Sequence, residues 1–302
     1  MSFRRIVQSA VFELFDAVRS RRALVLVILY LVISLLTMGG TIAALGKMED
    51  QLAETLQIEK VEGKSGIVSA TLWKSKPFQK LVRRMVDDKQ VYDGLVGRHP
   101  AELIYAWLVF LMVPLLTILF TSNRIAGDVR SGSVRYMLTR VTRLEWVFGK
   151  YLGNAALVLA GLLLGAVSAW GVAAWKLAGT NVATLLPAML LWSVKAWTLA
   201  LSWLGLSLGI SQIFQTPAKA DGLATLALFA WSVAPKTLSL LADWSGSPVL
   251  MDVLVRLFPS AHEDGLWHMT AWPMANSALW LLALGLLYLS AGYAVFVRRD
   301  AR

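Results

Sequence analysis

The sequence predicts an all-α, polytopic membrane protein. It would have six transmembrane helices, an N-terminal amphipathic helix in the interface and a small helical domain in an outer loop. Three observations lead there. Of 302 residues, 57% are hydrophobic and 16% charged, with a mean hydropathy of +0.61, where a soluble domain carries about 25% charged residues. Apolar stretches recur at the length of ~20 residues that a helix needs to cross a ~30 Å hydrocarbon core. The basic residues are sorted to one side of those stretches. The same composition excludes a disordered chain. The absence of cysteine excludes a disulfide framework, an iron–sulfur cluster and a cysteine zinc site.

Taken in chain order, residues 3–18 place Phe3, Ile6, Val7, Ala10, Val11, Leu14, Phe15 and Val18 at helical spacing. Arg4, Arg5, Glu13, Asp16 and Arg19 are left for the opposite face. Segment 1–22 is therefore expected to be a helix in the inner interface, serving as an anchor or as a docking element. The first span, Ala23–Leu45, follows without a charge. It is far longer than the 7–15 residues of a signal-peptide core, so it is expected to be retained. Region 46–102 is the only loop large enough for a small domain. Met48, Leu52 and Leu56 extend the first helix, Gly63–Gly66 makes a turn, and Ser75 with Pro77 starts a helix whose face is Phe78, Leu81, Val82, Met85 and Val86.

The second span is Leu103–Ser122, with Pro114 expected to kink it, and the third is Tyr151–Trp175. The fourth, Leu185–Phe214, is interrupted only by Lys195, and the fifth, Gly222–Ala242, only by Lys236. The last outer loop, Asp243–Pro273, is rich in turn residues around a short helix at Leu250–Phe258. It also gathers His262, Glu263, Asp264 and His268, whose spacing fits no metal motif. Met274–Val297 completes the count. All spans must be helices, because lipid offers no partner to an open backbone group. With no repeat and no linker, residues 1–302 read as one membrane domain.

Six spans put both termini on one side. Segments 1–22, 123–150, 215–221 and 298–302 hold 15 Lys/Arg against 6 Asp/Glu, and the opposite loops hold 12 against 13. By the positive-inside bias both termini are expected in the cytoplasm. The net charge of +10 is thus a topology signal, and no nucleic-acid partner is expected. Trp107, Trp170, Trp175, Trp244, Trp267 and Trp272 near the outer ends, with Trp146 and Tyr151 at the inner start of the third span, suit headgroup-level belts. Trp192, Trp197, Trp203, Trp231 and Trp280 lie deeper and are expected to pack.

The chemistry is sparse. Gly149-Lys150-Tyr151 lacks both the upstream glycine and the final Ser/Thr of a Walker A loop, and no catalytic cluster can be assembled. The spans themselves, as bounded above, hold no carboxylate. A chain so built does not energise itself, so any work would be driven by a partner. Lys195 admits two readings, a snorkelling or paired structural lysine and a residue on a substrate path. Gly161/Gly165 and Gly205/Gly209 each place two small residues on one helix face, for close packing or for a dimer contact.

The most informative segment is 123–150. Gly132 permits a sharp turn, and Ser133 can cap a short helix whose residues Val134, Met137 and Leu138 share a face. Around them stand Arg124, Arg130, Arg135, Arg140 and Arg143. A short basic helix of this kind suits docking into a groove on a soluble protein. The segment resembles the ABC-2 family of ABC-transporter permeases, whose pattern here is roughly D-x-I-x-G-E-R-E-x-G-T-L-x-x-L-L-S-x-P-V-S-R-x-x-x-x-x-G-K. Ile125, Gly127, Asp128, Arg130, Gly132, Ser133, Leu138, Thr139, Arg143, Gly149 and Lys150 stand at matching or conservatively changed positions. Asn123 and Val141 depart from it.

The resemblance implies an ATP-driven permease, usually an exporter, in a plasma membrane such as the bacterial inner membrane. It implies a second permease, identical or similar, and two ATP-binding subunits that hold the ATP and Mg, none being bound by this chain. Segment 123–150 would be the coupling element, with Gly127, Asp128, Arg130, Gly132, Ser133, Arg135, Leu138 and Arg143 as its working residues. Gln212–Asp221 would be a second, smaller contact. The 46–102 loop motivates an alternative, a mechanotransmitter that passes force to an extracytoplasmic partner.

Overall fold

A computed structural model describes residues 2–56, 88–177, 182–245 and 253–298, with Trp73, Gln79, Lys80, Val82 and Arg83 between the first two stretches. The described residues are helical with no strand, as an all-α membrane protein requires. The elements are α1 (Phe3–Arg19), α2 (Arg21–Leu56), α3 (Lys89–Leu95), α4 (Pro100–Thr121), α5 (Arg124–Ser131), α6 (Ser133–Leu138), α7 (Arg143–Lys176), α8 (Val182–Ile213), α9 (Pro217–Ser245), a 3-10 turn at Pro259–His262, α10 (Asp264–Trp267) and α11 (Ala271–Arg298). The Gly63–Gly66 turn, most of the helix expected after Ser75 and most of Leu250–Phe258 lie outside the described residues.

Among the described residues, five helical stretches are long and apolar enough to cross a membrane: Arg21–Lys47, Pro100–Ser131 (α4 continued through α5), Arg143–Lys176, Val182–Ile213 and Ala271–Arg298. The fifth expected span, 222–242, is not among them. It lies on α9, a continuous helix of 29 residues, about 43 Å long at 1.5 Å per residue. Each span starts or ends beyond its apolar stretch where a cap allows. Thr142 and Glu145 form a reciprocal capping box, which starts α7 well before Tyr151. At α4 the His99 side chain accepts from the Ala101 N–H and Pro100 occupies the first turn. Glu102, counted with the outer loop in the sequence, thereby enters that helix as a buried carboxylate.

The start of α1, the end of α11 and segment 123–150 meet at one end of the bundle, here the proximal end. The Ser2 N–H donates to Glu145 at 2.7 Å, and Arg143 donates to the Val297 carbonyl at 3.1 Å. Arg22, Ser122 and Asn123 converge there on Asp221, near the start of α9.

Small residues set how closely the helices approach. A Cβ on Gly205 would strike the Gly285 backbone, and one on Gly209 the Tyr288 carbonyl, so α8 and α11 pack backbone to backbone. A Cβ on Gly165 would strike the Tyr30 ring of α2, whereas Gly161 faces open space. Gly161 lines an apolar cavity of about 40 Å³ between α2, α4 and α7. Of the two glycine pairs, then, Gly205/Gly209 meets a helix of its own chain, and Gly161/Gly165 does so through one member.

Three sequence expectations are corrected. Glu13, assigned to the solvated face of α1, is buried with Ile6, Ser9 and Ala17, while Phe3, Phe15 and Val18 are exposed. α1 lies across Gly149 and Gly153 of α7, where a Cβ would strike Ser9 or Glu13. Its small and polar stripe therefore faces protein and its large apolar stripe is left for lipid. Trp146 and Tyr151 are not belt residues: Trp146 packs on Phe296, and the Tyr151 hydroxyl donates to the Leu201 carbonyl at 3.0 Å. Trp267 is likewise buried, its ring tilted against those of Phe110 and Trp192. Trp107, Trp175 and Trp272 do stay exposed.

Candidate functional site: the proximal helical knob

Between α4 and α7 the chain makes two short helices, α5 and α6, joined at Gly132. The φ of +74° at Gly132 lies in the left-handed region that L-residues avoid, which is why a glycine stands there. Ser133 does not cap α6 as expected. Gly132 holds the cap position, and the Ser133 hydroxyl instead donates back to the Asp128 carbonyl at 3.3 Å. The bend is thus held by the end of α5.

The inner face of the knob is anchored. Ile125, Ala126 and Val134 are buried, and Met137 and Leu138 pack on the same cluster as Trp146, Tyr151 and Phe296. The Ile125 and Ala126 N–H groups, both free at a helix start, donate to the Ser211 hydroxyl of α8 at 3.1 and 3.0 Å. The outer face carries Arg130, Arg135, Tyr136 and Arg140, all exposed, with Tyr136 at 80%. Gly127 is half-buried, and a Cβ there would meet open space. Arg143 does not join the exposed face. It lies over the Phe296 ring at 5.6 Å and donates to two carbonyls at the end of α11.

Behind the knob is a buried ion cluster. Lys150 Nζ sits 2.5 Å from Glu13 Oε2 of α1 and 2.8 Å from Asp128 Oδ2 of α5. Asn154 Nδ2 donates to the other Glu13 oxygen at 3.1 Å. Burial works against the Glu13 charge, but Lys150, then Arg124 and Asn154, outweigh it and hold the carboxyl below its ordinary 4.5. A second ion pair, Arg124 to Asp16 at 3.4 Å, ties α5 to α1 again. The lysine that closes the sequence motif is therefore the hub that fixes the knob to α1 and α7.

Sequence reasoning missed Glu13, Asn154, Asp221 and Ser211. Only Glu13 left a signal: a lone acid four residues after Ser9 and four before Ala17, on the small-residue stripe of α1. Lys195, the other candidate, is remote from this end. Its Nζ donates to the His268 carbonyl at 2.9 Å and lies 4.5 Å from the Trp192 ring centre. In the structure its ammonium is thus held by the distal loop.

The fold and this end of it define a class: a polytopic α-helical membrane protein that presents a basic two-helix knob beside the start of α1 and the end of α11. The chain belongs to the ABC-2 transporter family, for the family model described as an ABC-2 family transporter protein matches residues 8–301. Membership brings a permease role, with ATP-binding subunits as partners and a lipid bilayer as surroundings. No curated protein matches the chain.

Proposed function

We propose that this chain is the membrane-spanning subunit of an ATP-driven exporter and that α5 and α6 are its coupling element. The observation that carries the reading is the division of the knob into two faces. Buried Ile125, Ala126 and Val134 join it rigidly to the bundle, while Arg130, Arg135, Tyr136 and Arg140 stand free for a partner. Arginine and tyrosine are the residue types that dominate protein interfaces. A push on this face is transmitted to α7 and α1 through Lys150, and to α8 through Ser211, so the helices shift as semi-rigid bodies. The proximal end is cytoplasmic, the membrane a bacterial inner membrane, and the working assembly two permeases with two ATP-binding subunits. ATP and Mg stay in those subunits.

The test is co-purification. Arg135→Glu with Tyr136→Ala should leave the melting temperature unchanged, since both side chains are exposed, and weaken capture of the ATP-binding subunit about 30-fold, as expected for losing interface anchors worth ~2 kcal/mol. Unchanged capture would remove the coupling assignment.

The second reading, force transmission to an outer partner without a moved substrate, is favoured by one contact. Segment 88–99 rests on the last outer loop through the Asp88–His268 pair at 3.4 Å. Loss of function on removing that segment, with no transported compound found, would support it over export.

A further inference from the structure

The apolar cavity of about 40 Å³ between α2, α4 and α7 has no part in the coupling path. Leu26, Leu116, Phe120, Leu157 and Gly161 are among its walls, and Tyr30, the one lining residue with a polar side-chain atom, is buried against Gly165. A water would find the roughly 10–15 Å³ it needs, but not the polar partners that hold it. The guest that such a space takes is apolar. The cavity is also open to the outside. Leu26, Leu116, Leu157 and Gly161 are only half-buried, and Leu29, Leu115 and Leu164, close to them on the same three helices, are exposed. All three helices are long and apolar enough to cross a membrane, so the opening faces hydrocarbon.

The proximal end of this slot is charged. The Arg124 guanidinium sits 5.3 Å over the Phe120 ring, and Arg22 stands one helical turn before Leu26 on α2. Leu26, Phe120 and Leu157 also pack with Ala17 of α1 and Ala23 of α2. The elbow between α1 and α2, residues 18–22, therefore lies where the slot ends. Arg124 and Arg22 are each matched by a carboxylate, Asp16 and Asp221. Arg19 and Arg21, on either side of Ser20, are exposed and make no ion pair among the described residues. An excess of positive charge at the end of a narrow apolar slot matches a molecule with a negative head and a linear tail.

We propose that the slot is a binding site for one anionic glycerophospholipid of the proximal leaflet. One acyl chain lies against Gly161 between α2, α4 and α7, and the phosphate is held by Arg19 and Arg21. The proposal is independent of the export reading. The missing side chain at Gly161 keeps the slot open, since a Cβ there meets nothing within 4 Å. Bulk lipid tails are as apolar as the slot, so the tail contributes shape and packing while the charge supplies the preference. Guanidinium groups suit that task, because their N–H donors match the geometry of phosphate oxygens. A zwitterionic lipid carries its own cation and gains little from the elbow.

Native mass spectrometry of the full chain tests this, after delipidation in detergent and addition of dioleoyl phosphatidylglycerol or dioleoyl phosphatidylcholine. The wild type should retain one phosphatidylglycerol about 30-fold more tightly than phosphatidylcholine, as expected for two arginines at a charged lipid surface. Arg19→Gln with Arg21→Gln, both exposed, should bring that ratio close to one. Gly161→Leu fills the slot and should weaken phosphatidylglycerol retention about tenfold, as the tail loses its contacts. Its melting temperature in lipid-free detergent should not fall, because leucine is the better helix former. Equal retention of the two lipids by the wild type would overturn the proposal. So would a Gly161→Leu chain that holds lipid like the wild type, or an unchanged preference in the arginine variant, an arm that stands even if Gly161→Leu does not fold.

Discussion

The two ends of the bundle bury charge in opposite ways. At the proximal end Lys150 faces two carboxylates from different elements, Glu13 and Asp128, with Asn154 filling a remaining site. At the distal end Lys195 has a backbone carbonyl, a thioether and an aromatic face. A buried ion pair resists separation because losing one partner strands the other in a low dielectric. A carbonyl gives less and is released more readily. The comparison teaches that a buried lysine can be satisfied by counter-charge from two other elements or by neutral groups alone.

The largest expected effect breaks the proximal hub. Lys150→Met leaves the Glu13 carboxylate buried without its cation and should cost about 3–5 kcal/mol. Thermal unfolding of the full chain in detergent would show it, and adding Glu13→Gln should recover much of the loss. If the single variant melts like the wild type, the contrast between the ends is lost. Next is Trp192→Phe at the distal end, which keeps the ring contact with Trp267 and removes the indole donor to Glu102. With Arg98 still in place, the cost should be about 1–3 kcal/mol, below that of Lys150→Met in the same assay.

Gly132→Ala sharpens the picture of the knob. The left-handed bend should cost an alanine about 1–2 kcal/mol, and the reoriented α6 should couple ATP hydrolysis to transport less well. Equal coupling ratios in reconstituted vesicles would show that the bend has no mechanical role. Gly161→Ala, whose Cβ meets nothing within 4 Å, is the matched control and should not lower stability, because alanine is the better helix former by about 1 kcal/mol.

The smallest effect is a pH dependence. The Glu13 carboxyl titrates below its ordinary 4.5 in the folded chain. Its contribution to stability is therefore complete above about pH 4.5 and is lost as the pH falls through the lower folded value. Melting temperatures measured from neutral pH downwards should fall less steeply below pH 4.5 in Glu13→Gln than in the wild type. Identical profiles would place the acid sensitivity elsewhere.

Much of this was legible in the residues themselves. Five of the six expected span positions followed from apolar length, because the hydrocarbon core sets a minimum that chance rarely meets in a soluble chain. The bend at Gly132 and the shared face of Val134, Met137 and Leu138 followed from local backbone chemistry and helical period. The face that α1 buries was not legible. An apolar stripe marks what avoids water, yet in a bilayer both lipid and protein satisfy it, so the stripe of Phe3, Phe15 and Val18 went to lipid while Ser9 and Glu13 went to protein. The belt assignment of Trp146 and Trp267 failed for the same reason: nearness to a span end does not say which side of the helix a ring occupies.

Sequence alone thus determined the class of molecule, most of its helices and the position of its basic segment, since length, period and charge sorting are local properties. Tertiary structure decided the pairings: Lys150 with Glu13 and Asp128, Asp221 with Arg22, Lys195 with the His268 carbonyl. These unite residues up to 199 positions apart. Such contacts depend on how helices rotate and cross, and that rotation is set by where small residues let backbones touch, at Gly149, Gly153, Gly205 and Gly285.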